Sequence, residues 1–230
     1  MSRGTQIGIS GVKFMPDAHI EREAEHVLDS WAASGHPRCL PVPIDEIIEL
    51  HLGLTLEFVD LRSQLGVDDV LGAIFPGRKL IRIDSSLEDP SMRGRCAFTM
   101  AHEVGHWVLH RHLMTADAEQ SRLFGFEPGP VLVCRSGFRP NEEVQADRFA
   151  SYLLMPRSEI LDAWARWRGS HAQASFADVM SETGLGDLDA AVRKFVRPLA
   201  DEIGVSAQAL DIRLRNLDLI VSQPQHSLFG

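Results

Sequence analysis

From Pro16 to Ser34 apolar residues recur at steps of three and four, at Ile20, Ala24, Val27, Leu28 and Trp31, with Glu21, Glu23 and Glu25 between them. That period predicts an amphipathic helix, and Gly35-His36-Pro37 ends it. Pro43 to Leu52 reads as a second helix with Ile44, Ile47 and Ile48 on one side and Gly53 at a left-handed stop. The pattern then changes period. Leu54, Leu56 and Phe58 alternate with Thr55 and Glu57 as in a strand, and Leu71 to Phe75 and Lys79 to Ile83 flank Pro76-Gly77-Arg78 as a hairpin. Lys79 to Ile83 is the candidate edge strand that could hold an extended peptide by main-chain hydrogen bonds; a buried interior strand is the competing reading.

A helical period resumes at Cys96, Met100, Val104 and Val108, after Asp89-Pro90, which suits a cap and first helical position. Within this run lies Ala101-His102-Glu103-Val104-Gly105-His106-Trp107. On a helix His102 and His106 project side by side, with Glu103 adjacent. Two imidazoles one turn apart can hold Zn²⁺ at about 2.0–2.1 Å each, and a neighbouring carboxylate can accept a proton from an attacking water. Such a site needs a third ligand. Glu143 to Met155, opened by Arg139-Pro140 and stopped by Pro156, reads as one helix that could supply it. Glu143 could complete the sphere, and Asp147, one turn on, could hydrogen-bond a liganding imidazole. Both have ordinary alternatives: Glu143 as a carboxylate favoured at a helix start, Asp147 as a surface partner of Arg148 or Arg139. His110 and His112 are rival ligands. His110 sits roughly 80° round the helix from His102, so the reading prefers it as a cap at the helix C-terminus.

Arg95 to His110 (RCAFTMAHEVGHWVLH) and Glu143 to Pro156 (EVQADRFASYLLMP), in this order, resemble the two motifs of the ImmA/IrrE family of zinc metallopeptidases. The resemblance implies His102, His106 and Glu143 as zinc ligands, Glu103 as general base and a zinc metallo-endopeptidase of the gluzincin type. Many relatives are acidic where this chain has Gln145, which removes one alternative ligand and favours Glu143. The expected fold is α+β: a mostly helical zincin-like metallopeptidase domain at residues 16–156 with a small N-terminal β-sheet, followed by a C-terminal helical region at 157–230. The family further implies a protein substrate, a helix-turn-helix transcriptional repressor, cut to derepress stress-response, mobile-element or phage genes.

Leu113 to Phe138, rich in Gly, Ser and charge around Val131-Leu132-Val133-Cys134, reads as a long loop or insert. The solitary Tyr152 falls about 180° from Glu143 on a regular helix, and His171 is a possible transition-state donor without a placement. Beyond Pro156 the period is helical at Ser158 to Arg168, Phe176 to Thr183 and Leu188 to Ile203. Ala200, Gly204 and Leu210 then suit a helix-turn-helix-like pair at 199–216.

Composition narrows the partners. The 230 residues are 44% hydrophobic and 24% charged, ordinary for a folded protein, and carry a formal net charge of -9. That charge offers no general attraction to phosphate, and Lys194, Arg197 and Arg213 are balanced by Asp201, Glu202 and Asp211, so direct DNA binding is not expected. A scaffold or substrate-docking role suits these helices better. Three scattered cysteines suggest no disulfide framework, residues 1–15 lack a signal-peptide core, and no apolar run is long enough to cross a membrane, so a cytoplasmic location without membrane attachment is expected. The competing reading is a regulator that binds a repressor or DNA without cutting, with structural zinc. Structural zinc is usually closed by four protein ligands, and only three are evident here.

Overall fold

The computed structural model describes residues 12–66, 69–123, 132–133 and 141–222. The chain divides into two compact units, the first formed by residues up to Arg38 and Pro43–Leu154, the second by Cys39–Val42 and residues from Met155 onward. The fold is α+β and mostly helical, as the periodicities predict.

In the first unit, α1 (Asp17–Ala33) buries Ile20, Ala24, Val27, Leu28 and Trp31, the predicted stripe. Burying each larger member of that stripe contributes about 1.5–3 kcal/mol, which fixes the face that α1 turns inward. The next segment is less regular than its pattern suggested. A single α-turn, α2 (Ile44–Glu46), widens into a π-helical turn over Ile47–His51 that keeps Ile44, Ile47 and Ile48 buried, and Gly53 follows at φ 63°.

The sheet has the order β1-β3-β2-β4, with β1 at Thr55–Val59, β2 at Gly72–Phe75, β3 at Leu80–Asp84 and β4 at Leu132–Val133. A short helix, α3 (Leu61–Leu65), separates β1 from β2 and is capped by Asp60, which accepts from the Ser63 amide. β2 and β3 form the predicted antiparallel hairpin, with Ile74 opposite Ile81. Yet β3 is not an edge: β1 lies parallel along its other side, Leu56 opposite Ile81. Leu80, Ile81 and Ile83 are buried accordingly. Interior position explains why three of its five residues are apolar, and it removes β3 as the candidate edge strand. The buried Asp84 carboxylate closes β3 by accepting from the amides of Leu61 and Ser86, each at 3.1 Å.

Asp89 caps a 3-10 turn at Pro90–Met92, which leads into α4 (Arg93–Leu123). This helix runs on through Leu113 to Leu123, where the sequence suggested a loop. The rest of that stretch, apart from β4, lies outside the described residues. α5 (Asn141–Leu154) packs along α4, with α1 against it in turn. The middle of α4 is buried on every side: Ala101, His102, Glu103, Val104, Gly105 and His106 are all inaccessible or nearly so.

The second unit contains α6 (Arg157–Arg168), α7 (Phe176–Thr183), α8 (Leu188–Ile203) and α9 (Ala207–Asn216). β5 (Ala174–Ser175) and β6 (Ile220–Val221) pair in parallel. Ser175 and Asp178 form a reciprocal capping box at α7, and Gly204, at φ 73°, turns the chain between α8 and α9. Buried Arg213 donates from Nε to the Met155 carbonyl at 2.9 Å. Among the described residues no helix is long and apolar enough to cross a membrane.

Phe149 of α5 is wholly buried and its Cβ lies close to the backbone of α4 at Gly105. Phe149→Ala should therefore lower the unfolding free energy by about 3–5 kcal/mol in a urea titration; a loss below 1 kcal/mol would contradict this packing.

Candidate metal centre

Steps of four along α4 place His102, His106 and His110 on one face. The rings of His102 and His106 have centroids 4.6 Å apart, and their Nε2 atoms approach to 2.9 Å. From the first turn of α5, Glu143 reaches across: Oε2 lies 3.2 Å from His102 Nε2 and Oε1 lies 3.4 Å from His106 Nε2. One donor atom from each of the three lies within 4.8 Å of the others, the arrangement of a group that could hold a metal ion.

Close helix packing makes that convergence possible. A Cβ at Gly105 would stand 3.1 Å from Ala146 Cα and 3.2 Å from both the Ala146 carbonyl oxygen and Phe149 Cβ. α4 and α5 therefore touch closely at Gly105, one residue before His106 and opposite Ala146, three after Glu143.

The electrostatics suit a cation. His102 Nδ1 is 3.0 Å from Asp147 Oδ1 and donates to it, so a neutral His102 ring keeps its Nε2 lone pair. Burial pushes His106 down to about 4, against its contact with Glu143, which favours its neutral ring near pH 7. Burial opposes charge on Glu143, but His102 and His106 beside it outweigh that and hold the carboxyl well below the usual carboxylate range. Two imidazoles and one carboxylate thus turn donor atoms on a common point. Buried bases of this kind are costly unless something positive lies among them, so the residues present fit a metal ion.

Glu103 is buried completely, and among the described residues neither carboxylate oxygen has a hydrogen-bond partner. Burial pushes its carboxyl up to about 8, with His102 pulling it down and Glu143 pushing it further up. Positive charge beside it would favour the carboxylate. Against it lies β2: a Cβ at Gly72 would stand 2.5 Å from Glu103 Oε1.

A family model described as the IrrE N-terminal-like domain of the M78 peptidases matches residues 56–215. The chain belongs to this family. No curated protein matches the chain. Membership makes the M78 chain a member of a peptidase family, and the group formed by His102, His106 and Glu143 gives it a place where a metal could sit.

All five sequence candidates, His102, Glu103, His106, Glu143 and Asp147, meet at this one centre. Arg148 pairs with Asp17, and Asp147 lies 3.0 Å from His102; Arg139, its other suggested partner, lies outside the described residues. His110 departs from expectation. Because α4 continues to Leu123, His110 is no C-terminal cap; it is buried, with Nδ1 3.1 Å from His106 Nδ1 and Nε2 3.0 Å from Gln145 Oε1. Tyr152 is buried within α5, and exposed His171 belongs to the second unit. Sequence reasoning missed Gly72 and Gly105, although a glycine inside a helix or strand signals close approach.

Gly105→Ala should separate α4 from α5. The overlap costs about 1–3 kcal/mol and exceeds the gain of about 1 kcal/mol in helix propensity, because the atoms in the way are largely backbone. The urea midpoint should fall, and an unchanged or higher midpoint would contradict the close approach.

Proposed function

We propose that this M78 chain is a zinc-dependent endopeptidase whose substrate is a helix-turn-helix transcriptional repressor, cut to derepress stress-response, mobile-element or phage genes. The observation that carries the catalytic part is the convergence of His102, His106 and Glu143 beside a buried Glu103 carboxyl that has no hydrogen-bond partner among the described residues. Two imidazoles and one carboxylate suit Zn²⁺, and three protein ligands leave a position open for chemistry, whereas structural zinc is normally closed by four.

When bound, the ion would act as a Lewis acid on the scissile carbonyl and bring the pKa of a water toward about 7. Glu103, ionised by the neighbouring positive charge, accepts a proton from the attacking water at a carboxylate oxygen. It then delivers that proton to the nitrogen of the departing amine. The hydrogen bond to Asp147 keeps His102 turned with Nε2 inward. Glu103 Oε1 sits within 2.5 Å of where a Cβ on Gly72 would stand, so the carboxyl uses space that the glycine leaves open. Catalysis is assigned to residues 16–156, and the helices beyond serve as a scaffold or for docking the substrate protein in the cytoplasm.

Glu103→Gln should retain one zinc per chain while slowing peptide cleavage at least about 10²-fold, whereas His102→Ala, His106→Ala or Glu143→Ala should empty the site. A Gln variant that cleaves normally would refute Glu103 as the base. The substrate is tested by comparing protein N-termini in host cells that express wild type or Glu103→Gln, at rest and under stress. A new terminus inside a repressor, confined to the wild type, is expected; its absence with zinc present in both would favour a non-cleaving binder. Gly72→Ala should keep zinc yet lower turnover by more than tenfold, because its methyl occupies the position of Glu103 Oε1. Turnover equal to wild type would show that the carboxyl does not need that position.

A further inference from the structure

We propose that Gln145 and His110 are positioning residues, through which the backbone carbonyl of Lys13 dictates that His106 presents a lone pair, and not a hydrogen, at Nε2. The proposal rests on the reading of His106 as a metal ligand.

A backbone carbonyl only accepts hydrogen bonds. Gln145 Nε2 lies 2.7 Å from the Lys13 carbonyl oxygen, so the amide donates there and turns Oε1 the other way. Oε1 meets His110 Nε2 at 3.0 Å, and that nitrogen must carry hydrogen. A neutral imidazole has one N–H, so His110 Nδ1 is an acceptor. His106 Nδ1, 3.1 Å away, therefore donates to it. The same rule leaves His106 Nε2 without hydrogen, 2.9 Å from His102 Nε2. His102 reaches the same state by a different route, through the Asp147 carboxylate.

The polarity matters because the opposite one is self-satisfying. With hydrogen on Nε2, His106 would donate to His102 Nε2 or to Glu143 Oε1, 3.4 Å away, and the trio would close on itself as a hydrogen-bonded cluster with no ligand at His106. His106, His110 and Gln145 are all buried, so the relay of donors and acceptors sets the outcome more than solvent does. One segment near the N-terminus, on no helix or strand, thereby reaches the metal centre through two side chains.

The test is read by long-range proton–nitrogen NMR on the histidines of the metal-free full chain, together with zinc affinity from competition with a chromophoric chelator. Wild type should show hydrogen on Nδ1 of His106 and on Nε2 of His110. Gln145→Leu, which removes the acceptor, should lose that pattern and weaken zinc binding by about 10–100-fold. Gln145→Glu, which still accepts from His110 Nε2, should keep both. The opposite tautomers in wild type would overturn the proposal without any variant. So would a Leu variant with unchanged tautomers and affinity, or a Glu variant as impaired as Leu, which would indicate packing alone. Neither readout requires hydrolysis. A chain with this pattern and tight zinc that cleaves nothing would sink the peptidase reading, whereas an active peptidase indifferent to Gln145→Leu would sink only this one.

Discussion

Two imidazole nitrogens 2.9 Å apart, with a carboxylate against both, form a cluster of buried bases that the rest of the first unit is built to hold. Such a cluster is unfavourable by itself: each polar atom taken from water without a partner costs on the order of 1–3 kcal/mol. It persists because its outer nitrogens are committed, His102 Nδ1 to Asp147 and His106 Nδ1 to His110, so the inner ones have one direction left to face. Gly105 lets Ala146 approach α4 closely, three residues along α5 from Glu143. Every one of these contacts lies on α4 or α5, or is braced by β2 and the segment at Lys13.

Glu103 shows the complementary side of the design. Its carboxyl is wholly buried without a hydrogen-bond partner among the described residues, which pushes its pKa up, and positive charge at the neighbouring cluster would favour the carboxylate. In the proposed mechanism, loading the centre with a metal ion and ionising Glu103 are then one event. That coupling follows from burial, and burial follows from α4 being enclosed by α5, β2 and β3 along its middle turns.

What could be read in the sequence was whatever repeats over a short span. The stripe of α1, the hairpin of β2 and β3 and the spacing of His102, Glu103 and His106 are all local, as are the bounds of α5 between Pro140 and Pro156. The gathering of Glu143 and Asp147 to the histidines was legible through helical spacing together with the family motif. Contacts between distant segments were not. β3 gains β1 as a parallel neighbour across α3 and β2, a pairing invisible to hairpin logic. His110 was misplaced because the polar stretch after it disguised a helix that continues to Leu123. Gln145 looked like a mere departure from an acidic pattern, since its significance depends on a carbonyl at Lys13, 132 residues away.

His102, His106 and Glu143 are proposed to hold zinc and leave a position open. Zinc X-ray absorption on the metal-loaded full chain addresses this proposal directly. Two imidazole nitrogens at about 2.0–2.1 Å are expected, with the remaining ligands oxygen, from Glu143 and solvent, and no sulfur. A sulfur shell at about 2.3 Å, or a first shell closed by four protein ligands, would contradict it.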